Sequence, residues 1–165
     1  MFRNGIGWDV HPLVAGEGLY LGCVRFPNVG KRLAGHSDAD VVSHAICDAL
    51  LGAAALGDIG EFFPDTDPQY KDYPGSEFLK RVRQIIKNKG YQIVNVDCMV
   101  MSDAVRLGEK KKEMAEAIAA ALDLQPNRVS VKATTWEGHG AIGRGEIIAC
   151  EAIALIAGGG NGDGG

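Results

Sequence analysis

Two short motifs hold the residues best suited to chemistry. Asp9-Val10-His11 sets a carboxylate and an imidazole two residues apart. On a strand that spacing sends both side chains out on one side, about 6–7 Å apart along the chain. Ala34-Gly35-His36-Ser37-Asp38-Ala39-Asp40-Val41-Val42-Ser43-His44 then runs a loop into a helix, and Asp40, His44 and Asp48 recur every fourth residue along one helix face. Adding His44 to Asp9 and His11 gives two imidazoles and a carboxylate, a set that suits zinc and leaves its fourth position open. A zinc ion with an open position is a Lewis acid: it polarises a phosphoryl or carbonyl oxygen, or acidifies a bound water. Asp48, one turn past His44, is placed to accept the second N–H of a ligand imidazole. Either histidine alone reads as a hydrogen-bonded core residue; the two motifs together point to a metal. The helix start, with its free amides and positive dipole end, also suits a phosphate.

Other stretches carry weaker signals. In Lys132-Ala133-Thr134-Thr135-Trp136-Glu137, hydroxyls and amides can hold phosphate oxygens while the glutamate shares a hard divalent cation; an ordinary strand end has the same residues. Gly143-Arg144-Gly145-Glu146 leaves room for a forked contact from Arg144 to an anion, or is a solvated turn. Ser102-Asp103-Ala104-Val105-Arg106-Leu107-Gly108 passes from strand to helix, a common place for a ligand. His139, between glycines, reads as a loop residue.

These residues must be positioned by a small set of elements. Residues 2–10 read as a first strand closed by Pro12, and 19–26 as a second. Ser37 is a cap residue with Asp40 three positions on. After it Val41, Ala45, Leu50, Leu51, Ala54, Ala55 and Leu56 keep a buried stripe up to Gly57. Residues 57–68 lack periodicity and are rich in Gly, Pro and acids, a loop of the length that is often functional. Ser76 caps a helix over 77–88; 91–101 is a near-continuous apolar strand; 106–122 is a third helix; 129–135 and 146–157 are the last two strands. This order predicts an α/β sandwich, one mixed sheet with helices on one face. The last strand is apolar on both sides, so its other face calls for burial by further subunits. The expected layout is one catalytic domain over 1–157, with 158–165 a disordered glycine-rich tail.

The totals narrow the partners. A net charge of −4 disfavours nonspecific nucleic-acid binding. An anionic substrate then needs metal ions, local Arg or Lys, or backbone amides to receive it. No uncharged apolar run is long enough to span a membrane. Without a basic segment leading into an apolar one, the expected location is the cytoplasm, or a plastid if a transit peptide has been trimmed. Cys23, Cys47, Cys98 and Cys150 are widely spaced in apolar settings and read as reduced, buried thiols.

The Asp-Val-His and His-Ser-Asp motifs are joined, in order, by Leu50-Leu51-Gly52-Ala53-Ala54-Ala55-Leu56-Gly57-Asp58-Ile59-Gly60, Phe63-Pro64-Asp65-Thr66-Asp67, Asn95-Val96-Asp97, Lys132-Ala133-Thr134-Thr135 and Gly143-Arg144-Gly145-Glu146. Together they resemble the 2-C-methyl-D-erythritol 2,4-cyclodiphosphate synthase family of the non-mevalonate isoprenoid pathway, over essentially the whole chain before the glycine tail. The resemblance implies a homotrimer with active sites between neighbouring subunits and their sheets packed together. It implies zinc on Asp9, His11 and His44, and Mg or Mn near Glu137 bridging the α and β phosphates. The substrate is then 4-diphosphocytidyl-2-C-methyl-D-erythritol 2-phosphate, closed to the cyclic diphosphate with release of CMP. His36 and Thr135 match residues that stabilise the transition state. Ser37, Asp58, Ile59, Gly60, Phe63, Pro64, Asp65, Thr66 and Asp67 match those that cradle the methylerythritol phosphate. A neighbour's Ser102, Asp103, Ala104, Val105, Arg106, Leu107 and Gly108, with Ala133 and Thr134, match the cytidine site. Departures fall at Ala104-Val105-Arg106, where the family has Ala-x-x-Pro-Lys, at Trp136, and at Gly138-His139-Gly140-Ala141, where it commonly has Lys-Leu-Gly-Phe. Ala141 removes a ring from the axial pocket where members hold an isoprenoid diphosphate, while Arg144 and Glu146 remain for its head group. Two other functions fit the residues: a zinc phosphohydrolase acting through metal-bound hydroxide, and a trimeric binding module with a structural, four-ligand zinc.

Overall fold

In the computed structural model, which describes residues 1–158, β1 (Phe2–Ala15) is a two-faced strand. Gly5, Gly7, Asp9 and His11 turn one way, and Phe2, Ile6, Trp8 and Val10 turn to solvent. It does not stop at Pro12 as the sequence suggests. Proline's missing N–H is tolerated there because the Pro12 carbonyl accepts the Ala34 amide at 2.9 Å and the next amide, of Leu13, reaches the Glu146 carbonyl at 2.8 Å.

Residues 19–26, expected as one strand, form a hairpin of β2 (Leu19–Leu21) and β3 (Val24–Phe26). Gly22 and Cys23 both have positive φ (57° and 65°), the pair that a tight two-residue hairpin turn requires. A short edge strand, β4 (Lys31–Leu33), follows; three residues of Lys-Arg-Leu have no period to betray it.

Helix α1 (Val41–Ala53) is capped by Asp40, not Ser37. The fully buried Asp40 carboxylate accepts the amides of Gly22 (2.8 Å), Cys23 (2.7 Å), Val42 (3.1 Å) and Ser43 (3.3 Å) and the hydroxyl of Ser43 (2.6 Å). One side chain thus caps α1 and ties the hairpin to it. Asp40→Asn turns an NH2 group toward some of these donors, so it should destabilise the fold by about 2 kcal/mol. Urea denaturation checks this; an unchanged midpoint would show that the carboxylate is dispensable. The helix ends before Gly57, in a turn where Ala55 takes the left-handed conformation (φ 57°).

The acidic loop contains α2 (Ile59–Phe62) and a 3-10 turn, Pro68–Tyr70. Then come α3 (Gly75–Asn88), β5 (Tyr91–Met101), α4 (Lys110–Leu122), β6 (Val129–Thr134), α5 (Gly140–Gly143) and β7 (Ile147–Gly158). Pro74, not Ser76, precedes the first turn of α3, and α4 starts four residues later than its composition suggests. Gly158 pairs with Tyr91, so it belongs to β7 and not to the expected tail; the rest of that expectation lies outside the described residues.

The sheet order is β4-β1-β7-β5-β6, antiparallel except for β5–β6, with α1, α3 and α4 on one face, as predicted. Core residues of α1 such as Ile46, Leu50 and Leu51 meet Ile148, Cys150 and Ala152 of β7, and all six are essentially inaccessible. Each large one contributes roughly 2 kcal/mol. The opposite sheet face leaves Phe2 71%, Ile6 64%, Trp8 50% and Ile153 47% exposed. All four cysteines are free thiols, and burial, with the Asp40 charge, pushes that of Cys23 up to about 12. Among the described residues, no helix is long and apolar enough to cross a membrane.

Candidate metal centre

Glycines at positions 5 and 7 let the backbone of α1 lie directly on β1. That close approach brings His44 of the helix down to Asp9 and His11 of the strand. Asp9 Oδ2 is 3.0 Å from His11 Nε2 and 3.1 Å from His44 Nδ1, and the two nitrogens are 3.4 Å apart. Ligand atoms of a tetrahedral zinc, each about 2.0–2.1 Å from the ion, lie about 3.3 Å from one another. The three atoms therefore already have the spacing of three corners of one coordination shell. Among the described residues they are the cluster that could hold an ion.

The outer nitrogens fix how the rings present themselves. His11 Nδ1–H donates to the Ala34 carbonyl at 2.9 Å, which leaves Nε2 as the nitrogen the neutral ring would offer an ion, and His44 Nε2 lies 3.2 Å from the Ser37 hydroxyl, which holds that ring with Nδ1 toward Asp9. Burial alone would raise the Asp9 carboxyl; hydrogen bonds and charge from His11 and His44 outweigh it and hold the group well below the usual carboxylate range. Burial would lower His11, but Asp9 and the Ala34 carbonyl leave it raised. The donor set and its spacing fit a divalent metal. The expected partner of a ligand imidazole, Asp48, plays no such part: its Oδ1 accepts the Ile59 amide at 2.7 Å. Burial raises its carboxyl, the Ile59 amide opposes this, and the charges of Asp58 and Asp9 add to it.

A cleft of about 490 Å³ opens over His11 and His44. Of the residues singled out from sequence, His36, Ser37, Ile59, Gly60, Phe63, Pro64 and Asp65 line it. Asp58, Thr66 and Asp67 do not. Asp58 caps α2 at Glu61 N (3.2 Å), and Asp67 caps the 3-10 turn at Gln69 N (3.0 Å) while its carbonyl accepts His36 Nε2–H at 3.2 Å. Tyr70 and Phe78 also line the cleft, and no motif in the sequence marks them. Phe78 packs edge-on against His44 (5.4 Å) and Phe63 (5.2 Å), so it braces both the metal set and the cleft wall. On the sequence it is one more apolar residue of a helix, 34 positions from His44.

The remaining candidates stand elsewhere. Ala133, Thr134, Thr135 and Glu137 are exposed at the end of β6, where the Thr135 hydroxyl donates to Glu137 Oε1 at 2.7 Å. Asp103 accepts the amides of Trp136 (2.7 Å) and Gly138 (3.2 Å), so it shapes the turn that presents Glu137. Ser102 Oγ accepts the Val105 amide, and Val105 and Leu107 enter the core. Ala104, Val105, Arg106 and Leu107 border a separate groove of about 470 Å³, beside Phe26 and Lys110; Gly108 is exposed and does not line it. Ala141 is half-buried on α5, and Arg144 is not free but forked onto Glu146 (2.7 and 3.1 Å). One chain thus joins the metal set to the 36–65 cleft and leaves the 102–108, 133–137 and 141–144 segments apart from it.

The YgbB family model matches residues 2–157. Proteins named 2-C-methyl-D-erythritol 2,4-cyclodiphosphate synthase from Alkaliphilus oremlandii and Desulfatibacillum aliphaticivorans are 52% and 49% identical over 154 residues, which is 93% of this chain and 98% and 99% of theirs. Among solved structures, the bifunctional IspDF of Campylobacter jejuni superposes with a TM-score of 0.90 at 39% identity, over 94% of this chain and 42% of that longer one. The CDP complex of IspF from Plasmodium falciparum gives 0.82 at 32% identity, over 95% and 96%. On this breadth of likeness, the chain belongs to the YgbB family, the family of 2-C-methyl-D-erythritol 2,4-cyclodiphosphate synthases.

Proposed function

We propose that residues 1–157 form one catalytic domain of a cytoplasmic bacterial homotrimer that binds zinc through Asp9, His11 and His44. It converts 4-diphosphocytidyl-2-C-methyl-D-erythritol 2-phosphate to 2-C-methyl-D-erythritol 2,4-cyclodiphosphate and CMP. The observation that carries the reading is the 3.0–3.4 Å triangle of Asp9, His11 and His44 atoms at the base of the cleft. The exposed apolar sheet face supports assembly, and so does the separation of the 102–108 and 133–137 segments from the cleft: neighbouring copies can bring the two halves of a shared site together.

An oxygen of the substrate's 2-phosphate forms the new bond to the β-phosphorus. The bond from that phosphorus to the oxygen shared with the α-phosphate breaks, and CMP leaves with that oxygen and its electron pair. The nucleophile belongs to the substrate, so the protein's work is to place the two ends and to offset charge. Bound zinc supplies Lewis-acid neutralisation at a phosphate oxygen. Glu137, a lone carboxylate beside a hydroxyl, suits a magnesium or manganese ion shared with phosphates. His36 and Thr135 offer hydrogen bonds to the oxygens on which charge builds. Ser37 and the 59–60 backbone hold the methylerythritol phosphate, with Asp65 accepting from hydroxyls, while Phe63 and Pro64 limit water at the reacting phosphates. Ala104 to Leu107 and Ala133 to Thr134 seat the cytidine from a neighbouring subunit.

Phosphorus NMR of the purified protein with the cytidylated substrate tests this. CMP and the cyclic diphosphate should appear in equal amounts, and a chelator should stop both. A linear, hydrolysed product would reject the cyclase reading in favour of a phosphohydrolase.

A further inference from the structure

Asp48 is left without a role in the proposed reaction, yet it is placed with care. It stands one turn beyond His44 on α1 and its carboxylate accepts the Ile59 amide at 2.7 Å. That amide opens α2, whose own cap, Asp58, is spent on Glu61, so Asp48 satisfies a donor that the short helix leaves open. Burial and the charges of Asp58 and Asp9 disfavour a carboxylate here, and the Ile59 amide and His44 oppose them, leaving the carboxyl raised. What the position uses is an acceptor oxygen at a fixed reach from the helix. The far end of the same segment is held in a similar way: Asp38 Oδ2 accepts the Gly75 amide at 2.7 Å, and His36 Nε2–H reaches the Asp67 carbonyl. Between these ties lie Ile59, Gly60, Phe63, Pro64 and Asp65, the wall of the cleft facing the metal set.

We propose that Asp48 is a positioning residue: by accepting the Ile59 amide it fixes the cleft wall at 59–65 relative to His44, so that sugar phosphate and metal are presented in register. The effect on substrate rests on the function proposed above; the tie itself does not. Asp48→Ala removes the acceptor, whereas Asp48→Asn keeps an amide oxygen in its place and drops only the charge.

The test uses the full chain loaded with zinc. In Asp48→Ala the KM for the cytidylated substrate should rise about tenfold, the worth of one hydrogen bond, with kcat within about threefold. Its Ile59 amide should exchange with deuterium at least about tenfold faster. Asp48→Asn should stay within about threefold of the parent in KM and keep Ile59 protected, and all three proteins should hold equal zinc. Loss of Ile59 protection in Asp48→Asn, loss of zinc in Asp48→Ala, or parent-like KM and exchange in Asp48→Ala would each overturn the assignment. A parent protein that turns over no cytidylated substrate rejects the function instead, and the exchange at Ile59 still decides the role of Asp48.

Discussion

His44→Ala should lose bound metal and lower turnover by about a thousandfold while the protein stays folded. The kinetic part follows from geometry. Asp9 and His11 both come from β1, and His44 is the sole donor from the facing helix. Without it two ligands remain, too few to hold zinc against solvent and chelators. Charge stabilisation by a bound metal on a phosphoryl group amounts to several kcal/mol, and about 4 kcal/mol corresponds to about a thousandfold in rate. The structural part follows from what holds α1 in place. Leu50, Leu51 and Ile46 are fully buried and Asp40 caps the helix, and these anchors remain when the imidazole is removed. The lost contacts, the pairing with Asp9 and His11, one hydrogen bond to Ser37 and an edge-on ring pair with Phe78, cost about 2–3 kcal/mol together. Zinc content, CMP release and far-ultraviolet circular dichroism of the same preparation decide it. Full CMP release from a folded, zinc-free variant would remove zinc from the reaction.

The Asp9, His11 and His44 cluster, which could hold a metal, is legible in sequence because each half is local. Asp9 and His11 share a strand face by alternation, and His44 follows a loop and cap pattern that announces a helix. What alternation and helical period do not encode is which long-range partner each polar atom finds. The sequence pattern marks Ser37 as a cap, but its hydroxyl pairs with His44, and Asp40 takes the cap because its buried carboxylate also collects two amides of a hairpin 17 and 18 residues back. Asp48 sits at ligand-orienting spacing, yet the nearest unsatisfied donor is the Ile59 amide. Boundaries slipped where tertiary contacts override local signals: β1 continues through Pro12 because β4 and β7 satisfy its neighbours, and residues 19–26 split because Gly22 and Cys23 turn onto Asp40. The sheet and its one-sided helices followed from the order of elements, and the bare apolar face from a last strand greasy on both sides.

Gly7→Ala should cost about 3 kcal/mol of stability and at least about a hundredfold in zinc affinity, although Gly7 touches no metal ligand. A Cβ at this position would be driven into the Ala45 carbonyl and would lie 2.6 Å from the Ala49 nitrogen. Both are main-chain atoms of α1, so no rotamer change relieves the overlap; the helix must lift off the strand by about 1 Å or the strand must bend. Gly5 bears on the same helix one turn further along, against Ala49 and Ala53, so the helix cannot pivot away cheaply. Asp9 and His11 ride on the strand and His44 on the helix, one residue before the very carbonyl that is struck. A metal site tolerates about 0.2 Å in its ligand distances, and even the loss of a partner that merely orients a ligand costs about ten- to a hundredfold in affinity. Gly52→Ala is the control. It lies on α1, its nearest neighbour would be the Ile6 carbonyl at an ordinary 3.8 Å, and by helix propensity it should be neutral or stabilising by up to about 1 kcal/mol. Urea unfolding and zinc competition against a chelating dye separate the two variants. Parent-like zinc affinity in a folded Gly7→Ala protein would show that the spacing of strand and helix does not set the site.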